Sequence, residues 1–243
     1  MRMLLSLVVW FVLWEIVGQM KFSSIVPPFS AVIEAGMEIL PTEKFAKAAI
    51  ISLRSFGLGM ALALAIGIPL GVAMARVKGV GRLLGMWVNI FVSAPISALV
   101  PILMAVIGIG ETTVVVTVFL FAVFVITLDT QVGITHADRS LVEMARAFGA
   151  TRRQLYSKVL LLSALPEILA GVRLGAIRGV KGVVIGQLLV AIIGVGELFE
   201  TYSNNFLMEE FWALVLIVFL FAFAVSEVIA YLERRVEYYA AAR

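Results

Sequence analysis

The chain has 243 residues, of which 62% are hydrophobic and 14% are charged, and its mean hydropathy is +1.08. Soluble globular proteins are about 45–50% apolar and about 25% charged, so this composition predicts an integral membrane protein. The chain has no cysteine and one histidine, His136, which excludes disulfides, thiolate metal sites, cysteine nucleophiles and multi-histidine metal centres. A formal charge of +3 is a small excess, and we expect it to reflect membrane topology rather than nucleic-acid binding.

Six apolar stretches follow one another along the chain, and a helix needs roughly 20 apolar residues to cross a bilayer. They cover residues 4–19, 50–75, 83–107, 112–131, 171–193 and 211–232. Long continuous runs predict an all-α, polytopic membrane protein with about six transmembrane helices. The first run resembles a signal peptide, but Trp10, Trp14 and Glu15 interrupt it and no small-residue cleavage site follows. We therefore expect it to be retained.

The basic residues indicate how these helices are oriented in the membrane. With the N-terminus inside, twelve basic residues fall on the cytoplasmic side and four on the outer side. The twelve are Arg2, Arg76, Lys78, Arg82, Arg139, Arg146, Arg152, Arg153, Lys158, Arg234, Arg235 and Arg243; the four are Lys21, Lys44, Lys47 and Arg54. We therefore predict a multi-pass membrane protein with both termini in the cytoplasm.

The cytoplasmic connection 132–170 is polar and patterned. Apolar residues recur at helical spacing on either side of Gly149, and these are Leu141, Met144, Phe148, Leu155, Val159 and Leu162. Gly149 can adopt the positive φ that ends a helix, and the Thr151 hydroxyl can cap the next one. The pattern predicts a helix, a turn and a second helix with basic residues on its rim. An ordinary amphipathic loop at the membrane surface would give the same pattern.

Within this connection, residues 143–149 read Glu-Met-Ala-Arg-Ala-Phe-Gly and resemble the EAA loop of ABC-importer permeases. The motif Pro95-x-x-Ala98-x-x-Pro101, followed by Gly-Ile-Gly-Glu at 108–111, resembles the nitrate, sulfonate and taurine-type members of that family. Segments 26–30 and 164–174 are similar to the same group, so the resemblance covers nearly the whole chain. Leu162 stands where the family often has proline, and Gln187 stands where the group tends to have an acid.

The resemblance implies one transmembrane permease domain, 1–243, with a core at 45–235 and an ATPase-docking loop at 136–166. The docking residues it implies are Glu143, Ala145, Arg146, Ala147, Phe148, Gly149, Ala150 and Thr151. It implies partners as well: a second permease copy, two cytosolic ATPase subunits and an extracytoplasmic solute-binding protein. The chain has no phosphate-binding Gly-rich motif, so no cofactor is expected in it and ATP with Mg²⁺ belongs to the partner subunits.

The expected solute is a small anion such as a sulfonate, nitrate or taurine, or a heteroaromatic precursor. Candidate pore-lining residues are Pro95, Pro101, Met104, Lys181 and Gln187. Arg178 and Lys181 share a helix face, where they either favour an anion in the inner vestibule or extend to the cytoplasmic interface. Gln187 either hydrogen-bonds solute or bonds a neighbouring helix.

Two other classes of protein were considered. A secondary carrier or channel would need its own coupling-ion site, but we find no convincing repeat between the halves and no paired intramembrane carboxylates. A membrane-embedded enzyme would need a nucleophile, an acid–base pair or metal ligands, and one histidine with no cysteine supplies none of these. The sequence therefore favours a transport subunit that is not an enzyme.

Overall fold

The computed structural model describes residues 2–21, 23–137, 139–190 and 192–241. The rest of the predicted domain 1–243, including Arg243 of the charge count, lies outside the described residues. Throughout the described part, the regular elements are helices. They are α1 (Arg2–Gln19), α2 (Phe29–Ile39), α3 (Glu43–Arg76), α4 (Lys78–Ser93), α5 (Ile96–Ile107), α6 (Glu111–Thr135), α7 (Arg139–Ala147), α8 (Arg152–Ser163), α9 (Leu165–Val190), α10 (Gly194–Asn204) and α11 (Met208–Ala241).

The predicted all-α membrane class is confirmed. Helices α3 and α6 and the Met208–Arg235 part of α11 are each long and apolar enough to cross a membrane. Two bent pairs, α4 with α5 and α8 with α9, pass the same test as broken spans, and Val8–Gln19 in α1 is a shorter apolar helix. Counting each pair as one span and adding α1 gives about the number of crossings that the sequence predicts.

The predicted third span, 83–107, is wrong as a single straight helix. The chain bends by 94° between α4 and α5, at residues 94 and 95. Ala94 has extended backbone angles, φ −71° and ψ 147°, as expected for a residue that precedes proline. Pro95 therefore ends α4, and a short 3-10 turn, Ile96–Leu99, opens α5.

The predicted start of the fifth span, at residue 171, is also corrected, since α9 begins at Leu165. The second helix of the cytoplasmic connection, α8, continues to Ser163 before a bend of 58°. Leu162 lies inside α8, at a position where the proline that the family often has would break the helix. Residues Leu155–Leu160 of α8 are π-helical, a form that interrupts the α-helical ladder locally.

One compact unit comprises Met1–Leu53 and Gln187–Phe221. In its core, the buried face of α2 packs against α11. The buried residues are Val32, Ala35, Ile39 and Ala213. Two indoles fasten the segment before α2: Trp14 Nε1 donates to the carbonyl of Pro27 at 3.0 Å, and Trp212 Nε1 donates to that of Ile25 at 2.8 Å. Their rings meet edge to face at 5.4 Å. Helix α2 is thus packed along one face within this unit.

The second unit comprises Arg54–Gly186 and Ala222–Arg243. Its core lies where α3, α6 and α9 meet, and the buried residues are Met60, Ala63, Val118, Ala122, Val123, Ile126, Ala176 and Val183. Glycines let these helices approach closely: a Cβ at Gly71 would lie 2.5 Å from the carbonyl oxygen of Thr127, and one at Gly171 would lie 2.6 Å from Asp129 Cβ. Lipid gives helices no hydrophobic drive to associate, so such close van der Waals packing stabilises the unit.

Candidate functional site

The turn between α7 and α8 has the geometry predicted for it. Gly149 has φ +77°, so the αL conformation that ends the helix falls on the residue that tolerates it best. The N–H of Ala150 donates to the carbonyl of Ala145, and the N–H of Gly149 to that of Arg146, both at 2.9 Å. This pair of bonds is a Schellman C-cap, and it fixes the direction in which the chain leaves α7.

Thr151 caps α8 as the sequence predicts. Its hydroxyl oxygen accepts from the N–H of Gln154 at 3.3 Å, and the Gln154 side chain accepts from the N–H of Thr151 at 2.9 Å. This reciprocal capping box satisfies backbone donors that a helix start leaves free. Two consecutive caps therefore hold residues 147–151 in one conformation.

An apolar face of α7 is exposed in the part of the chain that the structure describes. Exposed fractions are 38% for Leu141, 52% for Met144 and 85% for Phe148. Among the candidate docking residues, Glu143, Arg146, Ala147, Gly149 and Thr151 are exposed as well. A rigid turn therefore presents a large aromatic side chain among charged neighbours, a combination typical of a binding surface.

Helix α8 joins this turn to the rest of its unit. Leu155 is buried, and the guanidinium of Arg76, at the end of α3, lies 3.9 Å from the ring centroid of Tyr156. A cation over an aromatic face is attracted to the ring quadrupole. Movement of the turn would accordingly be transmitted to α3 as well as to α9.

The candidate pore-lining residues differ in exposure. Pro95, Pro101 and Lys181 are exposed, and Met104 is half-buried. Pro95 lies at the bend between α4 and α5, and Pro101 lies in the next turn. These four belong to the unit that contains residues 54–186.

Gln187 is fully buried and bonds neighbouring backbone and side chain, which is the second of its two alternatives. Its Oε1 accepts from the Ser52 hydroxyl at 2.8 Å and from the N–H of Val195 at 3.1 Å. Gly194 and Gly196 leave room for it, because a Cβ at either would lie 2.3 Å from an atom of Gln187. Its Nε2 has no hydrogen-bond partner in the described part of the chain.

The sequence reasoning missed an ion pair and a helix. Arg54 Nε donates to Glu111 Oε1 at 2.7 Å, and the second guanidinium nitrogen contacts Oε2. Glu111 lies in the Gly-Ile-Gly-Glu motif, and Arg54 is one of the basic residues assigned to the outer side. The two residues are 57 positions apart, and no sequence pattern predicts their contact. Helix α10 is amphipathic and short, so hydropathy gave no signal for it.

No group of three or more potential metal-ligating side chains occurs among the residues that the structure describes. The described part of the chain is a helical membrane core with a rigid, exposed turn that is joined to two of the core helices. This arrangement defines a polytopic helical membrane protein with a rigid, exposed turn.

Comparison with known proteins identifies the family. Residues 67–238 match the binding-protein-dependent transport system inner membrane component. The taurine transport system permease protein of Escherichia coli (strain K12) is 26% identical over 237 residues, which is 95% of this chain and 86% of that protein. A carnitine transport permease protein of Listeria monocytogenes is 33% identical over 150 residues, 60% of this chain and 65% of that protein.

Solved structures share the fold. The inward-facing methionine ABC transporter aligns with a TM-score of 0.68 at 21% identity, covering 79% of this chain and 95% of that chain. The chain belongs to the family of binding-protein-dependent transport system inner membrane components. It is a permease subunit of an ABC importer, and ATP hydrolysis belongs to separate subunits.

Proposed function

We propose that this permease imports a small anionic solute, such as a sulfonate, nitrate or taurine, or an anionic heteroaromatic precursor. An extracytoplasmic binding protein delivers the solute. The taurine-type relative and the basic residue Lys181 of α9 support a solute that carries an oxyanion group. Pro95, Pro101 and Met104 are proposed to line the path with Lys181, and Gln187 to act by bonding α3 to the start of α10.

Two copies of the chain and two cytosolic ATPases make up the proposed transporter. The single permease domain 1–243, with its core at 45–235, lies in the inner membrane with both termini in the cytoplasm. The twelve-to-four distribution of basic residues supports this orientation. Closure of the ATPases moves the docking loop, 136–166, and the spans rock between outward-open and inward-open forms.

The observation that carries the proposal is the uncovered apolar face on a doubly capped turn. Phe148, at 85% exposure, would insert into a pocket of the ATPase, with Met144 beside it and Arg146 at the rim. Large buried aromatics supply most of the affinity at such interfaces. The caps hold the turn rigid, so that a push on it moves α8 and α9 rather than deforming the loop.

Co-purification tests the proposal. The tagged chain is expressed with the proteins of its operon, and ATPase recovery and activity are compared for wild type, Phe148→Ser and Gly149→Asp. Removing the Phe148 ring deletes the anchor, so we expect ATPase recovery to fall at least about tenfold. Gly149→Asp places a Cβ at φ +77°, so recovery or coupling should be lost there too.

Phe206→Ser is the matched control, because Phe206 is 77% exposed and lies in the loop after α10. It should purify with normal ATPase. A chain that purifies alone and transports in liposomes without ATP would instead be a secondary carrier. Equal ATPase recovery by Phe148→Ser and wild type would contradict docking through this turn.

A further inference from the structure

Lys181 is a charged residue on an exposed face of α9, deep in a membrane-spanning helix. It is exposed, and no ion pair with it occurs among the described residues. Isolated charges in the hydrocarbon region are costly and are found facing water or a partner group. The position therefore needs a physical explanation that the chain alone does not provide.

The position of Lys181 along α9 argues against an interfacial location. Helix α9 begins 16 positions before Lys181 and ends 9 positions after it, about 24 Å and about 14 Å at 1.5 Å per residue. Side chains lean toward the N-terminus of their helix, which here is the more distant end. Extension of the lysine to the nearer interface is thus opposed by its own direction.

The packing of α9 against α6 gives a similar position for Lys181 along the span. A Cβ at Gly182 would lie 3.1 Å from Val118 Cα, and Val118 follows the first residue of the 25-residue helix α6 by seven positions. Both helices therefore put Lys181 well inside the apolar span. The alternative in which Lys181 extends to the cytoplasmic interface depended on a fifth span that starts at residue 171. Helix α9 starts six positions earlier, at Leu165.

A second feature that lipid does not tolerate lies beside it. Arg178, one turn before Lys181, donates from Nη1 to the carbonyl of Val92 at 3.4 Å. Val92 is in the last turn of α4, where the chain bends by 94°, and Ser93 and Pro95 at the bend are exposed. Irregular backbone at membrane depth is stable only where protein covers it or where it lines a water-filled cavity.

We infer that Lys181 and the exposed end of α4 line a water-filled path, in which the Lys181 ammonium binds the oxyanion of the passing solute. This inference rests on the proposed import of an anion. Arg178 donates to the Val92 carbonyl, and Arg173 pairs with Glu233 at 3.1 Å. Lys181 is thus the cation of this helix that its described neighbours leave open to a ligand.

A lysine ammonium is suited to binding a solute that must also be released. An ammonium is a compact charge on a flexible stem, with three donors and no fixed fork. It attracts a sulfonate, carboxylate or nitrate group without the two-point grip that a guanidinium gives. Conduction needs binding that is strong enough for entry and weak enough for release, and one lysine meets both conditions.

Thiol labelling tests whether Lys181 faces water. The chain has no cysteine, so Lys181→Cys introduces a single reactive group. It is treated with the anionic reagent sulfonatoethyl methanethiosulfonate in open membranes containing the complete transporter, both nucleotide-free and trapped with ATP and vanadate. Exposed Phe206→Cys, in the loop after α10, and buried Val180→Cys set the fast and slow limits. We expect Lys181→Cys to react within about tenfold of the fast limit in at least one state.

A rate as slow as that of Val180→Cys in both states would overturn the inference, because lipid or a second copy of the chain would then cover Lys181. In the nucleotide-free state, the labelling does not depend on ATPase activity. If labelling is fast but no ATPase co-purifies, the path stands and the proposed driver fails. If the ATPase co-purifies and labelling is slow, only the path fails.

A second experiment tests the charge of Lys181 with a cysteine at another position. Its result does not depend on whether Lys181→Cys folds. Ile185, one turn beyond Lys181 on the same face, is replaced by cysteine in chains with Lys181, Lys181→Met or Lys181→Arg. The reaction-rate ratio of the sulfonatoethyl reagent to its cationic trimethylammonioethyl analogue is measured. We expect Lys181→Met to lower this ratio roughly three- to tenfold and Lys181→Arg to preserve it. An equal ratio in all three chains would refute anion selection by Lys181.

Discussion

The Gln187 carboxamide illustrates how one buried group specifies a junction. The N–H of Val195 must face an acceptor, so the hydrogen-bond pattern fixes which end of the amide is oxygen. Val195 N–H has two acceptors, Gln187 Oε1 at 3.1 Å and Ser52 Oγ at 3.0 Å. Either oxygen alone still satisfies it. The junction between α9 and α10 is thus protected against the loss of one partner.

Ser52 and Gln187 should therefore couple more than additively. We expect Ser52→Ala or Gln187→Leu alone to cost about 1 kcal/mol of unfolding free energy, because the remaining oxygen still accepts from Val195. The double variant leaves a buried N–H without an acceptor, which adds about 1–3 kcal/mol beyond the sum. Thermal unfolding of the four proteins in detergent measures the coupling. Ser157→Ala, on the exposed face of α8, should behave as wild type, and strictly additive losses would contradict the shared acceptor.

The Arg54–Glu111 pair offers a charge-reversal test. Arg54→Glu should lower the melting temperature by about 2–4 °C, and Arg54→Glu with Glu111→Arg should restore part of it. Restoration stays partial because residue 111 begins α6, where a helix N-terminus favours an acid over a base. Reversal of the Glu43–Lys47 pair, with side chains 81% and 72% exposed, is the control and should change nothing. No recovery in the double variant would show that the two charges do not act through each other.

At the scale of elements, long apolar runs and strong cap residues were predictable, whereas bends were not. Hydropathy reports how much of a segment is apolar, and it carries no information on direction. Pro95 was recognised as part of a motif, yet its effect on Ala94 turns the chain by 94°. Gly149 and Thr151, in contrast, act through their own backbone and side chain, so their roles followed from the sequence. Pairs such as Ser52 with Gln187 form only on folding, and a single sequence does not reveal them.

Two of the glycines of α3, Gly57 and Gly71, have very different surroundings. A Cβ at Gly71 would lie 2.5 Å from the backbone oxygen of Thr127 on α6, and a Cβ at Gly57 meets nothing within 4 Å. We expect Gly71→Leu to prevent α3 and α6 from packing, so that little folded chain is recovered. Gly57→Leu should give normal yield and a normal gel-filtration profile. Similar yields for the two variants would argue against close α3–α6 packing as the requirement.

Gly179 on α9 lies between these extremes. Its Cβ position is 3.1 Å from Met60 Sδ and 3.2 Å from the Phe56 ring, and a methionine side chain can move where backbone cannot. We expect Gly179→Leu to insert and fold but to slow sliding of α9 against α3, so that solute-stimulated ATPase activity and uptake fall. Normal uptake and ATPase stimulation at normal abundance would refute this prediction.

At the scale of the whole molecule, the family assignment and the fold agree, although identity to the solved methionine transporter is only 21%. The solved transporter shares the fold, and in this chain a capped turn is joined to the membrane helices. In the proposed path, solute selectivity depends on single side chains such as Lys181. This separation explains why the class of protein was readable from the sequence and why the proposed solute depends on one exposed charge.

Orientation in the membrane gives a prediction for the complete chain. Phe148→Cys and Phe206→Cys each introduce one thiol at an exposed site, in the turn after α7 and in the loop after α10. The charge distribution predicts the first inside and the second outside, so a membrane-impermeant reagent should label only Phe206→Cys in intact cells. Opening the cells should expose Phe148→Cys, and bound ATPase should slow its labelling because the docked surface excludes the reagent. Labelling of Phe148→Cys in intact cells would reverse the proposed orientation, and equal rates with and without bound ATPase would remove Phe148 from the docking surface.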